Sequence, residues 1–477
     1  MSGYLAVDLG STNLKVIAYN EEFTPLRSHS EPVCYHREGE LVEFDAEECF
    51  QSLLRGLRLC GEAFPPERRC PKIILTGQAE SLVLSDVGGK PVRPAISWMD
   101  GRGGREAEEI QAAFPGEESC RITGQLSVNT SWPAVNLLWL RRQEPEVLQR
   151  ADWFFLLKDY MLFRLTGKAV GEYSCYSFSY YFDYVRKCYW EPMLRFCGIP
   201  REKLPRLVPP GTAVGTLLPE IARKLGFSGC PEINAGALDH FCGMIGSGNV
   251  REGLISESTG TVLAMAALSS APARDGVRIP CHCGPFPGSY VFLSVCESGG
   301  DSLEWFRNAF LPEYSFAELD EALSGRQPPE GLFFLPYLQG VSAPEYDPGA
   351  RGVFYGIQRG HDRLDFAYAV MEGVAQLLCK NIRLFPSFGE ETRLLSTGGG
   401  AKSDFWSQLK ADVCGVPVDI PENGEAACFG AALLGAGTAE AADAHVRIRK
   451  SFEPDPVRAE QYAARHQAFC RIYQKLF

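Results

Sequence analysis

Apolar and polar positions along the chain follow two periods, and each change of period marks an element. Tyr4 to Val7 form a short apolar run, Asp8 to Asn13 a polar turn with glycine, and Leu14 to Tyr19 an apolar run again, which predicts a strand, turn, strand hairpin. Lys72 to Leu75 and Leu82 to Leu84 read as further strands, the second entering a turn at Asp86 to Gly89. Helical spacing covers Ala134 to Leu140 and Trp153 to Leu165, the latter stopping at Thr166-Gly167. From Pro231 a strand-like segment reaches Gly236 and Asp239, then gives way to small residues ending at Gly246-Ser247-Gly248. The boundary is placed there, giving an N-terminal domain 1–247 and a C-terminal domain 248–477. Immediately beyond, Leu254 to Glu257, the turn Ser258 to Thr261 and the return to Ala266 repeat the first hairpin, a hint of duplicated architecture. Later come a strand at Leu332 to Leu335, a Gly/Pro/acidic loop at Gly340 to Gly352 and a helix at Asp365 to Leu384. A strand at Leu394 to Ser396, a glycine run, a helix at Asp404 to Val413 and an amphipathic tail helix from Arg458 to Phe477 complete the chain.

Composition narrows the function classes. A length of 477 residues implies two large domains, and 45% apolar with 22% charged residues is the balance of a globular chain with a sizeable core. A net charge of −12 without any dense Lys/Arg stretch argues against nucleic acid or a membrane surface as partner, and no apolar run is long enough to span a bilayer. The opening MSGYLAVDLG shows no leader pattern, so a cytoplasmic chain with reduced thiols is expected. The 17 cysteines are scattered without a C-x-x-C pair. Cys281 and Cys283 flank His282, which reads either as a metal-binding tripeptide or, more plainly, as an exposed loop.

Four constellations carry candidate chemistry. Gly10, Ser11, Thr12 and Asn13 expose backbone N–H groups and hydroxyls at a tight turn suited to phosphate oxygens, Asp8 is placed to hold Mg²⁺ through water, and Lys15 is a further candidate. The competing reading is an ordinary hairpin tip; a dinucleotide fingerprint is absent. Asp239, followed by His240, is an isolated carboxylate at a strand end, either a base that takes a hydroxyl proton or an N-cap. Gly398-Gly399-Gly400-Ala401-Lys402-Ser403 lies between strand and helix, as an adenosine pocket or a simple tight connection. Trp98-Met99-Asp100-Gly101-Arg102 sets an aromatic ring beside ionic groups, as a polyol site or a surface ion pair.

Taken in this order, the segments resemble the FGGY carbohydrate kinases along nearly the whole chain. The most specific stretch is Gly352-Val353-Phe354-Tyr355-Gly356-Ile357 followed by Asp365-Phe366-Ala367-Tyr368-Ala369-Val370-Met371-Glu372, which is similar to the family's C-terminal signature. The resemblance implies an α/β fold of two actin-like (RNase H-like) domains, each a mixed sheet flanked by helices, around an interdomain cleft. It implies ATP and Mg²⁺ as cofactors and a small sugar or polyol as partner, with assembly as monomer or homodimer left open. By the same resemblance Asp239 is the catalytic base, and Gln78, Glu80, Trp98, Asp100 and His240 contact the acceptor. Asp8 serves the metal. Gly10, Ser11, Thr12, Asn13 and Lys15, then Gly260 and Thr261, Gly299 and Gly300, and Gly399, Gly400 and Ser403 serve ATP. Leu157-Lys158-Asp159-Tyr160 and Leu165-Thr166-Gly167 match another recurrent block. The acceptor side departs from the pattern. Xylulokinases carry Met-His where Ala79-Glu80 stand, and glycerol kinases Arg-Glu; Asn136 replaces a lysine and Glu172 an aspartate. The implied reaction is phosphorylation of a small sugar, a ketopentose such as xylulose first. The alternatives are a polyol, a deoxyketose or gluconate as acceptor, or a nucleotide-dependent switch or sugar sensor on the same fold.

Overall fold

The computed structural model describes residues 3–114, 116–274, 276–437 and 439–477. Two lobes repeat one sheet plan. In the first, Tyr4–Leu9 is antiparallel to Asn13–Tyr19 and parallel to Lys72–Gly77, and Pro25–Pro32, Glu232–Asn234 and Ala213–Thr216 extend the sheet. In the second, Leu254–Thr259 is antiparallel to Leu263–Ser269 and parallel to Arg393–Thr397. Tyr290–Cys296 and Cys281–Cys283 continue on one side, Val418–Pro421 and Ile448–Phe452 on the other. The duplication hinted at by the two hairpins is therefore real at the level of topology.

The unbroken apolar run of the first strand follows from coverage on both faces. Leu5, Val7 and Leu9 enter one core beneath the helix Ala46–Gly61, whereas Ala6 enters the other, which includes Phe429, Ala431 and Ala432 of the helix Ala426–Ala436. That helix is late in sequence but lies on the first lobe's sheet: an added Cβ on Gly435 would stand 2.4 Å from the Ile74 side chain, and Lys72 Nζ donates to the Gly435 carbonyl at 2.9 Å. It also packs on the helix Asp239–Gly246 almost backbone to backbone. A Cβ on Gly430 would fall 1.8 Å from the Cys242 carbonyl oxygen, and one on Gly246 2.0 Å from that of Ala426.

A third sheet, of Tyr35–Glu38, Leu41–Phe44, Ala95–Ile96, Leu82–Ser85 and Trp153–Leu156, is inserted in the first lobe. Here one expectation fails: Trp153 to Leu156 are a strand paired with Leu82–Ser85, and the helix is Leu157–Thr166. A four-residue apolar run carries no period, and the open edge of the Leu82–Ser85 strand decides it. Cys281 to Cys283 are likewise no exposed loop. All three residues are buried in a strand, His282 stacks on Phe178 at 4.3 Å, and burial drops its pKa to about 3. Among the described residues no group of three or more ligating side chains could hold a metal there. The expected long helix is Arg363–Ile382, and the tail helix Pro456–Leu476 buries Tyr462, Phe469 and Ile472. Among the described residues no helix is long and apolar enough to cross a membrane.

Candidate active site

Asp239 is set by its loop. The chain leaves Glu232–Asn234 through Gly236, whose φ of 58° is left-handed and whose added Cβ would stand 1.9 Å from the Leu75 carbonyl oxygen. Thr76 Oγ1 donates to the Ala237 carbonyl at 2.9 Å, and the Leu238 N–H donates to Ser174 Oγ at 2.9 Å. Ser174 Oγ donates to Glu172, which also accepts the Ser174 and Cys175 N–H groups and pairs with Lys158 Nζ at 2.6 Å; both charged side chains are wholly buried. Leu238 occupies the N-cap position and Asp239 the first turn, so the capping alternative does not describe this carboxylate. It is half-buried, with Oδ1 accepting the His240 N–H at 2.6 Å, and His240 itself is exposed.

Asp8 lies opposite Lys15 in the first hairpin. Its Oδ1 is buried without a partner, and burial, reinforced by Asp239, pushes its pKa to about 7. Lys15 Nζ reaches across to Glu425 of the second lobe at 2.5 Å. Gly10 is required at the tip, where a Cβ would lie 2.8 Å from the Asn13 carbonyl oxygen. Ser11 Oγ accepts from Trp98 Nε1 at 2.7 Å, and Thr12 and Asn13 are exposed.

Beneath the second hairpin, Lys410 Nζ donates to Glu257 at 2.6 Å and to Thr259 Oγ1 at 2.8 Å, with Lys410 and Glu257 fully buried. A cavity of 330 Å³ opens between the lobes, with Asp8, Asp239 and His240 on one wall and Ser258, Thr397 and Gly398 on the other. A second cavity of 570 Å³ is lined by Gly260, Thr261, Gly300, Gly399 and Gly400, with Phe316 and Trp406 as apolar walls. Ser258 and Gly398 line the first, their neighbours Thr259 and Gly399 the second, so the cavities abut. Ser403 also lines the second cavity, but its hydroxyl is engaged by Asp320 and by the Trp406 N–H. Gly299 is buried against the hairpin, 2.4 Å from the Val262 carbonyl carbon at the Cβ position, and supports the wall rather than forming it.

The segment Gln78 to Glu80 lies next to Asp239 because Gly77 bridges Leu238. Gln78 Oε1 accepts from Ser81 Oγ at 2.7 Å, leaving Nε2 buried and unpartnered. Glu80 holds a left-handed φ of 60°, and burial, with Asp239 adding, pushes its pKa to about 8. Trp98 is 40% exposed. Asp100 departs from expectation. It is 1% exposed, and its oxygens accept from the Val42 N–H and from the backbone and guanidinium of Arg102, so it braces the loop as a buried ion pair and has no free lone pair for an acceptor. Glu257, Thr397, Lys410 and Glu425 were not singled out from the sequence. Glu257 left a signal, one acid inside a strand otherwise made of apolar and hydroxyl residues; Glu425 left none.

Family models for the N-terminal and C-terminal domains of the FGGY family of carbohydrate kinases match residues 3–246 and 255–439. The chain belongs to that family. It is 30% identical to a xylulose kinase of Escherichia coli strain K12 over 99% of each chain. It is 27% identical to a gluconokinase of Bacillus subtilis strain 168, covering 91% of this chain and 87% of that one. A solved xyloylose kinase from Brucella ovis superimposes with a TM-score of 0.92 at 27% identity, covering 99% of both chains. This FGGY kinase is thus a sugar kinase with the actin-like two-domain fold, and the family implies ATP as the phosphate donor.

Proposed function

We propose that this FGGY kinase phosphorylates a ketopentose such as xylulose, with Asp239 as the general base. The observation that supports this reading is the pair of abutting cavities: Asp239 faces the small polar one, and the glycine-lined, apolar-walled one suits adenosine, with phosphates passing between them over Gly398 and Gly399. Asp239 takes the proton of the attacking hydroxyl as the O–P bond forms. Gly398, with a left-handed φ of 78°, brings its loop against Ser258 and Thr259, where backbone N–H groups offset the charge of the transferring group. The unpartnered buried Oδ1 of Asp8 fits Mg²⁺, which when bound would neutralise phosphate charge. Gln78 Nε2 and Glu80 are the uncommitted polar groups on the acceptor side. Burial beside Asp239 keeps Glu80 protonated, so it offers the acceptor a neutral carboxyl that can both donate and accept a hydrogen bond, as a polyhydroxylated sugar requires.

The test is ADP release across ketopentoses, deoxyketoses, aldonates and short polyols, with Asp239→Asn in parallel. Turnover on a ketopentose, reduced roughly 10²- to 10⁴-fold in the variant, is expected. A folded variant losing less than about tenfold rejects Asp239 as base. Flat rates across the panel, with ATP still bound, turn the reading to a sugar sensor.

A further inference from the structure

Outside the cleft, a chain of polar contacts crosses from the helix Arg363–Ile382 to the tail helix Pro456–Leu476. Arg465 pairs with Glu372 at 2.6 Å, and Gln376 Nε2 donates to Glu372 Oε1 at 3.3 Å. The amide is thereby oriented. Its Oε1 faces His466 Nδ1 at 2.7 Å, so Nδ1 carries a proton and Nε2 is left as an acceptor. Cys470 Sγ stands 3.7 Å from that Nε2, one helical turn beyond His466. Cys470 is half-buried, unlike the neighbouring Cys379, which is fully buried and accepts from Arg383 Nε at 3.1 Å.

We propose that Cys470 is an activated thiol, a modification site for small peroxides, with His466 as its proton acceptor and Gln376 as the residue that fixes the imidazole. His466 Nε2 takes the S–H proton, and the thiolate attacks one peroxide oxygen. The S–O bond forms as the O–O bond breaks, and the leaving hydroxide recovers the proton from the imidazolium as water. Sulfur is oxidised to a sulfenic acid and the peroxide is reduced. The surrounding charges agree with this. Burial pushes the Cys470 thiol up, but its hydrogen bond and charge interaction with His466, and then Lys380, hold it below the ordinary thiol range. Against the pull of burial, contacts with Cys379 and Cys470 raise His466 to about 9. Lys380 is itself paired with Glu345, Arg383 lies by Cys379, and the Tyr337 phenol lies near Cys470.

The experiment measures iodoacetamide alkylation at pH 7 by peptide mass spectrometry in the wild type, His466→Asn, Gln376→Leu and Gln376→Glu. A one-unit rise in thiol pKa removes about tenfold of the thiolate but raises its intrinsic nucleophilicity, so a net fall of about threefold at Cys470 is expected in the first two variants. The exposed Cys34, Cys188 and Cys230 should label at unchanged rates, and Gln376→Glu, which keeps the acceptor oxygen and, protonated beside buried Glu372, keeps a donor to it as well, should retain the wild-type rate. Peroxide followed by a dione trap should mark Cys470 as sulfenic acid in the wild type. An unchanged Cys470 rate in His466→Asn, a joint rise in labelling of Cys470 and buried Cys379, or no trapped sulfenic acid would each overturn the proposal.

Discussion

Replacing Ser174 by alanine removes one hydroxyl from beneath the Asp239 loop and leaves every group facing the cleft in place. In the wild type that hydroxyl accepts the Leu238 N–H at 2.9 Å and donates to Glu172. Leu238 is 2% exposed, so water cannot replace the lost acceptor, and an unsatisfied buried N–H costs about 1–3 kcal/mol. Glu172 keeps Lys158 and two backbone donors, so the buried ion pair survives and the fold should hold. The loop can recover part of the penalty by shifting toward another acceptor, and Leu238 is bonded directly to Asp239. A displacement approaching 1 Å at a reacting group lowers turnover by up to about 10²-fold, and a partial shift by about tenfold, or about 1.4 kcal/mol of barrier. Steady-state kinetics should show kcat reduced by that factor, the KM for ATP little changed because the glycine-lined cavity belongs to the other lobe, and Ser174→Thr restored toward wild type. A kcat within twofold of wild type in Ser174→Ala, or a loss carried in the KM for ATP, would show that this network does not position Asp239 for turnover.

Two further outcomes follow from the same geometry. Gly430→Ala drives a Cβ to within 1.8 Å of the Cys242 carbonyl oxygen, and an overpacked contact of this kind costs about 1–3 kcal/mol; thermal melting and turnover should fall together, and a variant with wild-type melting and kcat would remove this helix pair from the account of how the lobes are held. Glu80, pushed up to about 8, is protonated in the folded protein where the unfolded chain is already ionised, so folding takes up a proton between about pH 4.5 and 8 and unliganded stability falls as pH rises through that window. Glu80→Gln should match the wild type near pH 5 and exceed it at pH 8.5, by on the order of 1–2 kcal/mol once solvent screening of this half-buried carboxyl is allowed for; a gap independent of pH would count against the assignment.

The legible parts of this molecule are those where a close backbone approach forces an unusual local composition. Asp8 with Gly10, Asp239 after Gly236, and Gly398 to Gly400 stand at strand ends where small residues allow close approach, and Asp8, Asp239 and Gly398 to Gly400 line the two cavities. Parts decided by distant partners were not legible. Trp153 to Leu156 form a strand because Leu82–Ser85 offers an edge, and Cys281 to Cys283 are buried because Tyr290–Cys296 pairs with them. The return of Ala426–Ala436 to the first lobe's sheet leaves no mark beyond its glycines. Asp100 misled because a Trp-x-Asp-x-Arg pattern reads alike whether the carboxylate faces an acceptor or its own arginine.

Buried charge explains how both lobes hold a flexible-looking loop rigid. Each functional turn rests on one lysine and one glutamate removed from water, Lys158 with Glu172 below Asp239 and Lys410 with Glu257 below the Thr259 hairpin. Such pairs add little net stability, since desolvation offsets most of the attraction, and hydrophobic residues of the same volume would serve the core as well. What apolar residues cannot do is accept or donate in a fixed direction. Glu172 orders Ser174, which holds Leu238; Lys410 and Glu257 both bind Thr259 Oγ1. In each lobe the ion pair therefore converts the rigidity of the core into the placement of a loop, one carrying Asp239 and the other separating the two cavities.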